Sequence, residues 1–114
     1  HGSRDPLWRA PIEAVEAHIR AHHPGVAVRC AYLELTTPDL PQAVEDLVDQ
    51  GATAVTIVPM FLGTGKHARE DLPMLVAELR ARHPRVQVHV QAAIGEDPRM
   101  TALMAHIACT PPAQ

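Results

Sequence analysis

Runs rich in apolar residues alternate with amphipathic stretches along the whole chain. Three apolar runs predict buried strands, at residues 26–35, 54–62 and 86–93. Apolar residues at helical spacing predict four helices, from Pro6 to about His22, between residues 39 and 51, between residues 67 and 83, and from Pro98 through Ile107. This regular alternation predicts the α/β class, a parallel sheet with helices on both faces.

The two junctions between a helix and the strand that follows it are similar in sequence. Residues 20–28 and 80–88 are identical at six of nine positions. We interpret this repeat as two related halves, in which the loop carrying His1 and the loop carrying His67 are equivalent connections. The two histidines would then face each other across a pseudo-two-fold axis.

Residues 2–6 predict a turn that leads into a helix. Residues 63–67 predict the same kind of turn, and there it follows a predicted strand. We therefore expect a further strand ahead of His1, and we interpret this sequence, which has no initiator methionine, as a fragment. The 114 residues predict one domain over residues 1–109, and the Pro-rich residues 110–114 predict a disordered tail.

Composition excludes several classes of protein. The formal net charge of −3 argues against nucleic acid as a partner, and no run approaches the roughly 20 apolar residues of a membrane span. No signal peptide pattern is present, so we expect a cytoplasmic protein. Cys30 and Cys109 lack the spacing of a metal knuckle, and both are predicted to be reduced, structural thiols.

Three polar residues lie at the predicted sheet edge where ligands bind in open α/β folds. Glu34 and His67 follow predicted strands, and His1 opens the equivalent turn. Two histidines and a carboxylate suit divalent cobalt, iron, nickel or zinc, and only three ligands leave coordination positions open, as in catalytic metal sites. Structural interpretations stay open too: His67 could cap a helix, Glu34 could be a solvated strand end, and His1 could meet a metal through its α-amine.

A local basic cluster accompanies these residues in a slightly acidic chain, and it consists of Arg4, Arg9, Lys66 and Arg69. It predicts an anionic ligand. Such a ligand could also accept hydrogen bonds from the backbone N–H groups of residues 63–65 and of the helix that follows.

The spacing of residues excludes two other kinds of functional motif. The Gly65-Lys66 pair is not part of a Walker A loop, because Met60 stands where that motif needs glycine and His67 where it needs Ser or Thr. Residues 1–4 do not supply a Gly-x-Ser-x-Gly nucleophile elbow either. Nucleotide binding through a P-loop and acyl transfer are therefore not predicted.

Three segments resemble the short sirohydrochlorin cobaltochelatases, which are class II chelatases of cobalamin and siroheme synthesis. The segments are HGSRDP at residues 1–6, YLEL at residues 32–35, and VPMFLGTGKH at residues 58–67, which continues into REDLP at residues 69–73. The likeness runs from His1 to about Pro98. It implies a flavodoxin-like three-layer sandwich and ATP-independent insertion of a divalent metal, Co²⁺ before Ni²⁺ or Fe²⁺, into a polycarboxylated tetrapyrrole.

The resemblance also implies roles for individual residues. His1, His67 and Glu34 match the metal-binding and catalytic residues, and one histidine would serve as the base that takes ring protons. We expect a second set to bind the substrate: Ser3, Arg4, Arg9, Gly63, Thr64, Gly65, Lys66 and Arg69. No cofactor is expected beyond the substrate metal, and a homodimer is predicted because two-domain relatives hold the site between two such units.

Two alternative functions stay open. One is a non-catalytic carrier of metal or tetrapyrrole that uses the same three residues, and the other is an iron or nickel chelatase of siroheme or nickel-tetrapyrrole synthesis. A phosphate-processing enzyme with His1 as nucleophile is less favoured, because the chain has no second Arg-His motif and no nucleotide loop.

Overall fold

The computed structural model describes residues 1–110, so residues 111–114 of the predicted tail lie outside the described residues. All four predicted helices are confirmed, and the first of them begins with a 3₁₀ turn. In chain order the described elements are a 3₁₀ helix at Pro6–Arg9, α1 at Ala10–His22, α2 at Leu40–Asp49, β1 at Ala54–Ile57, α3 at Lys66–Arg82, β2 at Gln87–Val90, a 3₁₀ helix at Ile94–Glu96, and α4 at Pro98–Cys109. None of the helices within residues 1–110 combines the length and the apolar character that crossing a bilayer requires.

Local signals determine where α2 begins and ends. The Asp39 carboxylate accepts a hydrogen bond from the Gln42 N–H at 2.9 Å, which satisfies one of the free donors of the first turn. Beyond the other end, Gly51 adopts a φ of 100°, a conformation that favours glycine and lets the chain leave the helix.

The two strands pair in parallel, with Val55 of β1 opposite Val88 of β2. Both are shorter than the predicted runs at 54–62 and 86–93. Beyond Ile57 the segments that follow β1 and β2 stay together through single hydrogen bonds. The Gln91 N–H donates to the Ile57 carbonyl at 2.9 Å, and the Gly95 N–H donates to the Phe61 carbonyl at 2.9 Å. A regular ladder does not continue there, since Pro59 has no N–H to donate.

The strand predicted at residues 26–35 is wrong. Within the described residues this segment forms one isolated parallel bridge, between Tyr32 and Asp39, and no ladder. A cavity separates the segment from β1, and both line it. A strand is stable only when a neighbour satisfies its backbone groups, so the segment follows the chain without strand pairing.

The sequence repeat corresponds to a repeated structure. The Arg20 guanidinium donates to the Val28 carbonyl at 3.0 Å, and the Arg80 guanidinium donates to the Val88 carbonyl at 2.8 Å. The backbone at the two junction histidines is also alike, with φ and ψ of −132° and 64° at His23 and of −123° and 69° at His83. The two helix-to-strand junctions are therefore built in the same way.

A small aliphatic core joins α2, β1 and α3. Its buried members are Leu40, Val44, Val55 and Leu79, and Val44 and Leu79 are each only 1% exposed. By contrast, α1 and α4 contribute no residue that is fully buried. The packing within residues 1–110 is thus concentrated on the α2–α3 side of the sheet.

Both cysteines are free, as predicted. The Cys30 N–H donates to the Glu16 carboxylate at 2.8 Å. Burial, together with the nearby Glu16 carboxylate, raises the pKa of the Cys30 thiol to about 11. The thiol is therefore protonated at neutral pH, which suits a structural role and not that of a nucleophile.

Candidate active site

His1 and the loop that carries Glu34 lie against each other. Gly2 approaches the Glu34 backbone so closely that a Cβ at position 2 would overlap the Glu34 carbonyl oxygen. The His1 ring meanwhile packs on the Phe61 ring, with the ring centroids 4.7 Å apart. Since Phe61 follows β1, these contacts place His1 at the carboxyl end of that strand, and the close approach explains why position 2 is glycine.

Hydrogen bonds join the turn after His1 to the loop after Glu34. The Ser3 N–H donates to the Thr36 hydroxyl at 3.0 Å, and that hydroxyl donates to the Ser3 carbonyl at 2.8 Å. Within the loop, the Thr36 N–H donates to the Glu34 carbonyl at 2.7 Å, and Leu35 adopts a left-handed φ of 60°. The bend at Leu35 thus allows one threonine to hold both segments.

Glu34 is exposed, so its carboxylate is accessible to a ligand. The contacts of Gly2 and Ser3 therefore bring the segment that begins with His1 against the loop that carries Glu34.

His67 lies in the first turn of α3 and not in the loop before it. Gly65 occupies the N-cap position and has no side chain with which to cap the helix. The alternative in which His67 is the capping residue is therefore wrong. His67, Lys66 and Arg69 are all exposed at this helix end, which follows β1 and so lies on the carboxyl side of the sheet.

The three predicted metal ligands do not form a preassembled centre. Among residues 1–110, no three His, Cys, Asp or Glu side chains lie close enough together to hold a metal ion. The segment that begins with His1 lies against the Glu34 loop, and His67 lies in the first turn of α3. Their joint action on one metal therefore stays a prediction.

An open polar pocket of about 550 Å³ lies beside Ser3. Arg4 and Arg9 line it, together with Glu13, Leu35, Thr36 and Thr37, none of which the sequence singled out as a site residue. Arg9 is paired with the Glu13 carboxylate at 2.7 Å, so much of its charge is already compensated. Arg4 has no ion-pair partner within the described residues, which makes it the stronger candidate for an anionic ligand.

The glycines of the loop before α3 are not required by the fold. A Cβ at Gly63 or Gly65 would meet no atom within 4 Å, and Gly65 has an ordinary φ of −67°. Thr64 between them is half-buried. The bare backbone at Gly63 and Gly65 is thus open to a ligand on the same side of the sheet as His1.

Comparison with known proteins identifies relatives that share this arrangement of elements. The chain matches the CbiX family over residues 1–109. It is 30% identical over 106 residues to the sirohydrochlorin ferrochelatase of Bacillus subtilis strain 168, a match that covers 93% of this chain and 41% of that protein. It is 30% identical over 83 residues to the sirohydrochlorin cobaltochelatase of Methanocaldococcus jannaschii, covering 73% of this chain and 58% of that protein. The chain thus spans about half the length of these curated relatives.

Solved structures confirm the predicted chelatase-like α/β fold. A CbiX protein of cobalamin biosynthesis from Marinobacter aquaeolei VT8 superposes with a TM-score of 0.76 at 31% identity, covering 96% of this chain and 88% of that one. The sirohydrochlorin chelatase SirB from Bacillus subtilis subspecies spizizenii, in complex with cobalt, gives a TM-score of 0.74 at 30% identity, covering 93% of this chain and 45% of that one. Because the family match extends over nearly the whole chain and agrees with these structures, the chain belongs to the CbiX family.

Proposed function

We propose that this chain inserts a divalent metal, with Co²⁺ as the first candidate, into sirohydrochlorin without ATP. The observation that carries the proposal is the contact of the His1 segment with the Glu34 loop, at the carboxyl end of β1, and α3, which follows β1, holds His67 in its first turn. Relatives at about 30% identity are named sirohydrochlorin cobaltochelatases and ferrochelatases, which supports the substrate class but does not distinguish the metals.

The reaction requires ligands for the metal and acceptors for protons. A divalent metal enters the ring as two ring N–H groups lose their protons. One divalent cation is bound and two protons are released, so the charge is balanced. The imidazole of His1 and the carboxylate of Glu34 form the mixed nitrogen and oxygen pair that suits divalent cobalt, nickel or iron. The remaining histidine, His67 in the first turn of α3, is the candidate acceptor of a ring proton.

The substrate carboxylates need cationic partners. Arg4 lines the polar pocket beside Ser3, and Lys66 and Arg69 extend from the first turn of α3. None of these three has an ion-pair partner within residues 1–110, so their charges can interact with a polyanionic ring. The N–H groups at the start of α3 add hydrogen-bond donors for the same carboxylates.

An absorbance assay tests the proposed reaction. Sirohydrochlorin is mixed with Co²⁺, Ni²⁺ or Fe²⁺, with and without the protein, and the spectral change on metallation is followed. We expect the protein to raise the Co²⁺ insertion rate by at least about tenfold over the uncatalysed rate. A shift of the tetrapyrrole spectrum on binding, without faster insertion, would instead support the carrier.

Alanine at Gly63 or Gly65 is expected to weaken substrate binding and leave the fold intact. A Cβ at either position meets no protein atom, so it adds bulk only to the surface that would face the ring. We expect the KM for sirohydrochlorin to rise about tenfold, which corresponds to about 1.4 kcal/mol, with the melting temperature unchanged. Gly25→Ala is the matched control, because that glycine also faces open space but lies at a helix-to-strand junction. Equal KM values for the variants and this control would contradict substrate contact at the loop.

A homodimer is expected, with apolar residues near the candidate site at its interface. Leu62, which is 72% exposed, and Met60, which is 37% exposed, lie in the segment between β1 and α3. Exposed aliphatic groups next to a polar site are typical of association surfaces. Light scattering over a range of concentrations should report twice the chain mass of 12.4 kDa. A monomer at every concentration would remove this expectation.

A further inference from the structure

Two histidines lie one turn apart at the end of α1, away from the candidate active site. His18 and His22 are both exposed, and their rings stack with the centroids 4.0 Å apart and the ring planes 18° from parallel. Residues four apart on a helix share one face. The same spacing brings two imidazoles onto one zinc ion in the helical H-E-x-x-H motif, and HIRAH at residues 18–22 has that spacing without the glutamate.

A hydrogen bond sets the tautomer of the His22 ring. Its Nδ1 lies 3.0 Å from the His18 carbonyl oxygen. A carbonyl oxygen only accepts hydrogen bonds, so Nδ1 carries the proton, and in the neutral ring the lone pair of Nε2 is free. Metal-binding histidines commonly donate their other ring N–H to a backbone carbonyl, which fixes the orientation of the ring. His22 thus has the tautomer and the support that a metal ligand needs at Nε2.

The His18 ring needs only a small adjustment to bind the same ion. Two nitrogens at zinc-ligand distance and a tetrahedral angle lie about 3.3 Å apart, slightly closer than the stacked rings are. An exposed side chain such as His18 changes rotamer within nanoseconds, so it can turn toward the ion.

The nearest cation along the helix is held on another face. Arg20 lies two positions from each histidine, and residues two apart on a helix do not face each other. Its guanidinium donates to the Val28 carbonyl at 3.0 Å and lies 3.8 Å from the Glu16 carboxylate. These contacts hold the Arg20 charge in place, so it does not turn toward an ion on the histidine pair.

We propose that His18 and His22 form a second metal site, which binds one divalent ion that prefers imidazole, such as Zn²⁺, Ni²⁺ or Cu²⁺, and cross-links the last turn of α1. Within residues 1–110, no third His, Cys, Asp or Glu completes a cluster with the pair, so water fills the other coordination positions. His22 lies about 18 Å along the helix from Ala10, where α1 begins, so this ion is not the substrate metal. Because α1 has no fully buried residue, the cross-link supports a turn that packing holds weakly.

A titration with Zn²⁺ at neutral pH tests the site, with the ring signals of His18 and His22 followed by NMR. We expect the two sets of signals to shift together. His18→Ala should weaken Zn²⁺ binding at His22 at least about tenfold, because two ligands on one scaffold bind the same ion cooperatively. His23→Ala is the matched control, since it removes the adjacent exposed histidine, which is outside the pair, and it should leave the affinity unchanged.

Amide hydrogen exchange at His23 reports on the cross-link. The His23 N–H donates to the Ile19 carbonyl at 2.7 Å and closes the last turn of α1. Zn²⁺ should slow exchange of this amide at least about threefold in the unchanged chain and leave it unchanged in His18→Ala. The same slowing in His67→Ala would support a site separate from the candidate active site, whereas its loss there would overturn that separation.

Three further results would overturn the proposal. The first is a free His22 ring whose nitrogen chemical shifts place the proton on Nε2, a measurement that needs neither metal nor variant. The second is equal Zn²⁺ affinity in the unchanged chain and in His18→Ala, which would show binding to a single imidazole only. The third is a loss of affinity in His23→Ala as large as that in His18→Ala, which would assign the ion to other histidines.

Discussion

Replacing His67 by alanine is expected to lower the rate of metal insertion at least about 100-fold and leave the fold intact. His67 is exposed in the first turn of α3, and alanine favours a helix at least as well as histidine does. The substitution therefore removes an imidazole without removing packing. The rate is measured by sirohydrochlorin absorbance with Co²⁺, and the fold by circular dichroism and the melting temperature.

The control for this prediction is His106→Ala, which removes an exposed histidine from α4, an element that contributes no residue to the candidate site. It should keep the full insertion rate. The pH dependence of the rate then separates two roles for His67. Loss of a proton acceptor changes the pH profile of the rate, whereas loss of a metal ligand raises the metal concentration needed for half-maximal rate. A His67→Ala variant with the rate of the control would remove His67 from the mechanism.

The helices could be predicted because their signals are local. Asp39 caps α2 and Gly51 follows its end, and both effects act within a few residues. Residues 26–35 also carry an apolar pattern, yet they do not form a strand. Whether this segment forms a strand depends on a neighbouring strand that is distant in sequence. The apolar pattern indicates that the segment tends to be buried, but not that a neighbouring strand is present.

The candidate site could be predicted only in part. The expectation that His1 and Glu34 share a sheet edge assumed that each follows a parallel strand, yet the Glu34 loop reaches the His1 segment although residues 26–35 form no strand. Thr36, which joins the two segments, could not be found, since a threonine in a loop has no distinctive pattern and its partner Ser3 lies 33 positions away. The only available signal was the pair of threonines directly after Glu34 and Leu35.

Alanine at Gly2 is expected to separate His1 from the Glu34 loop and thereby to lower the insertion rate about 100-fold. A Cβ at this position overlaps the Glu34 carbonyl oxygen, a backbone atom that cannot rotate away, so one of the two segments must move. Displacement of a reacting group by about 1 Å commonly costs about two orders of magnitude in rate. Because no chemical group is lost, a reduced rate would report on position alone.

Two further variants show whether the displacement itself causes the loss. Thr36→Val removes both hydrogen bonds to Ser3 and leaves Gly2 in place, so it should lower the rate in the same direction and by a smaller factor. Gly25→Ala adds a Cβ in open space and should change neither the rate nor the NMR signals of Ser3 and Thr36. In Gly2→Ala those two amide signals should shift, since the contact that holds them is broken. If they shift and the rate stays at that of Gly25→Ala, contact of His1 with the Glu34 loop has no part in metal insertion.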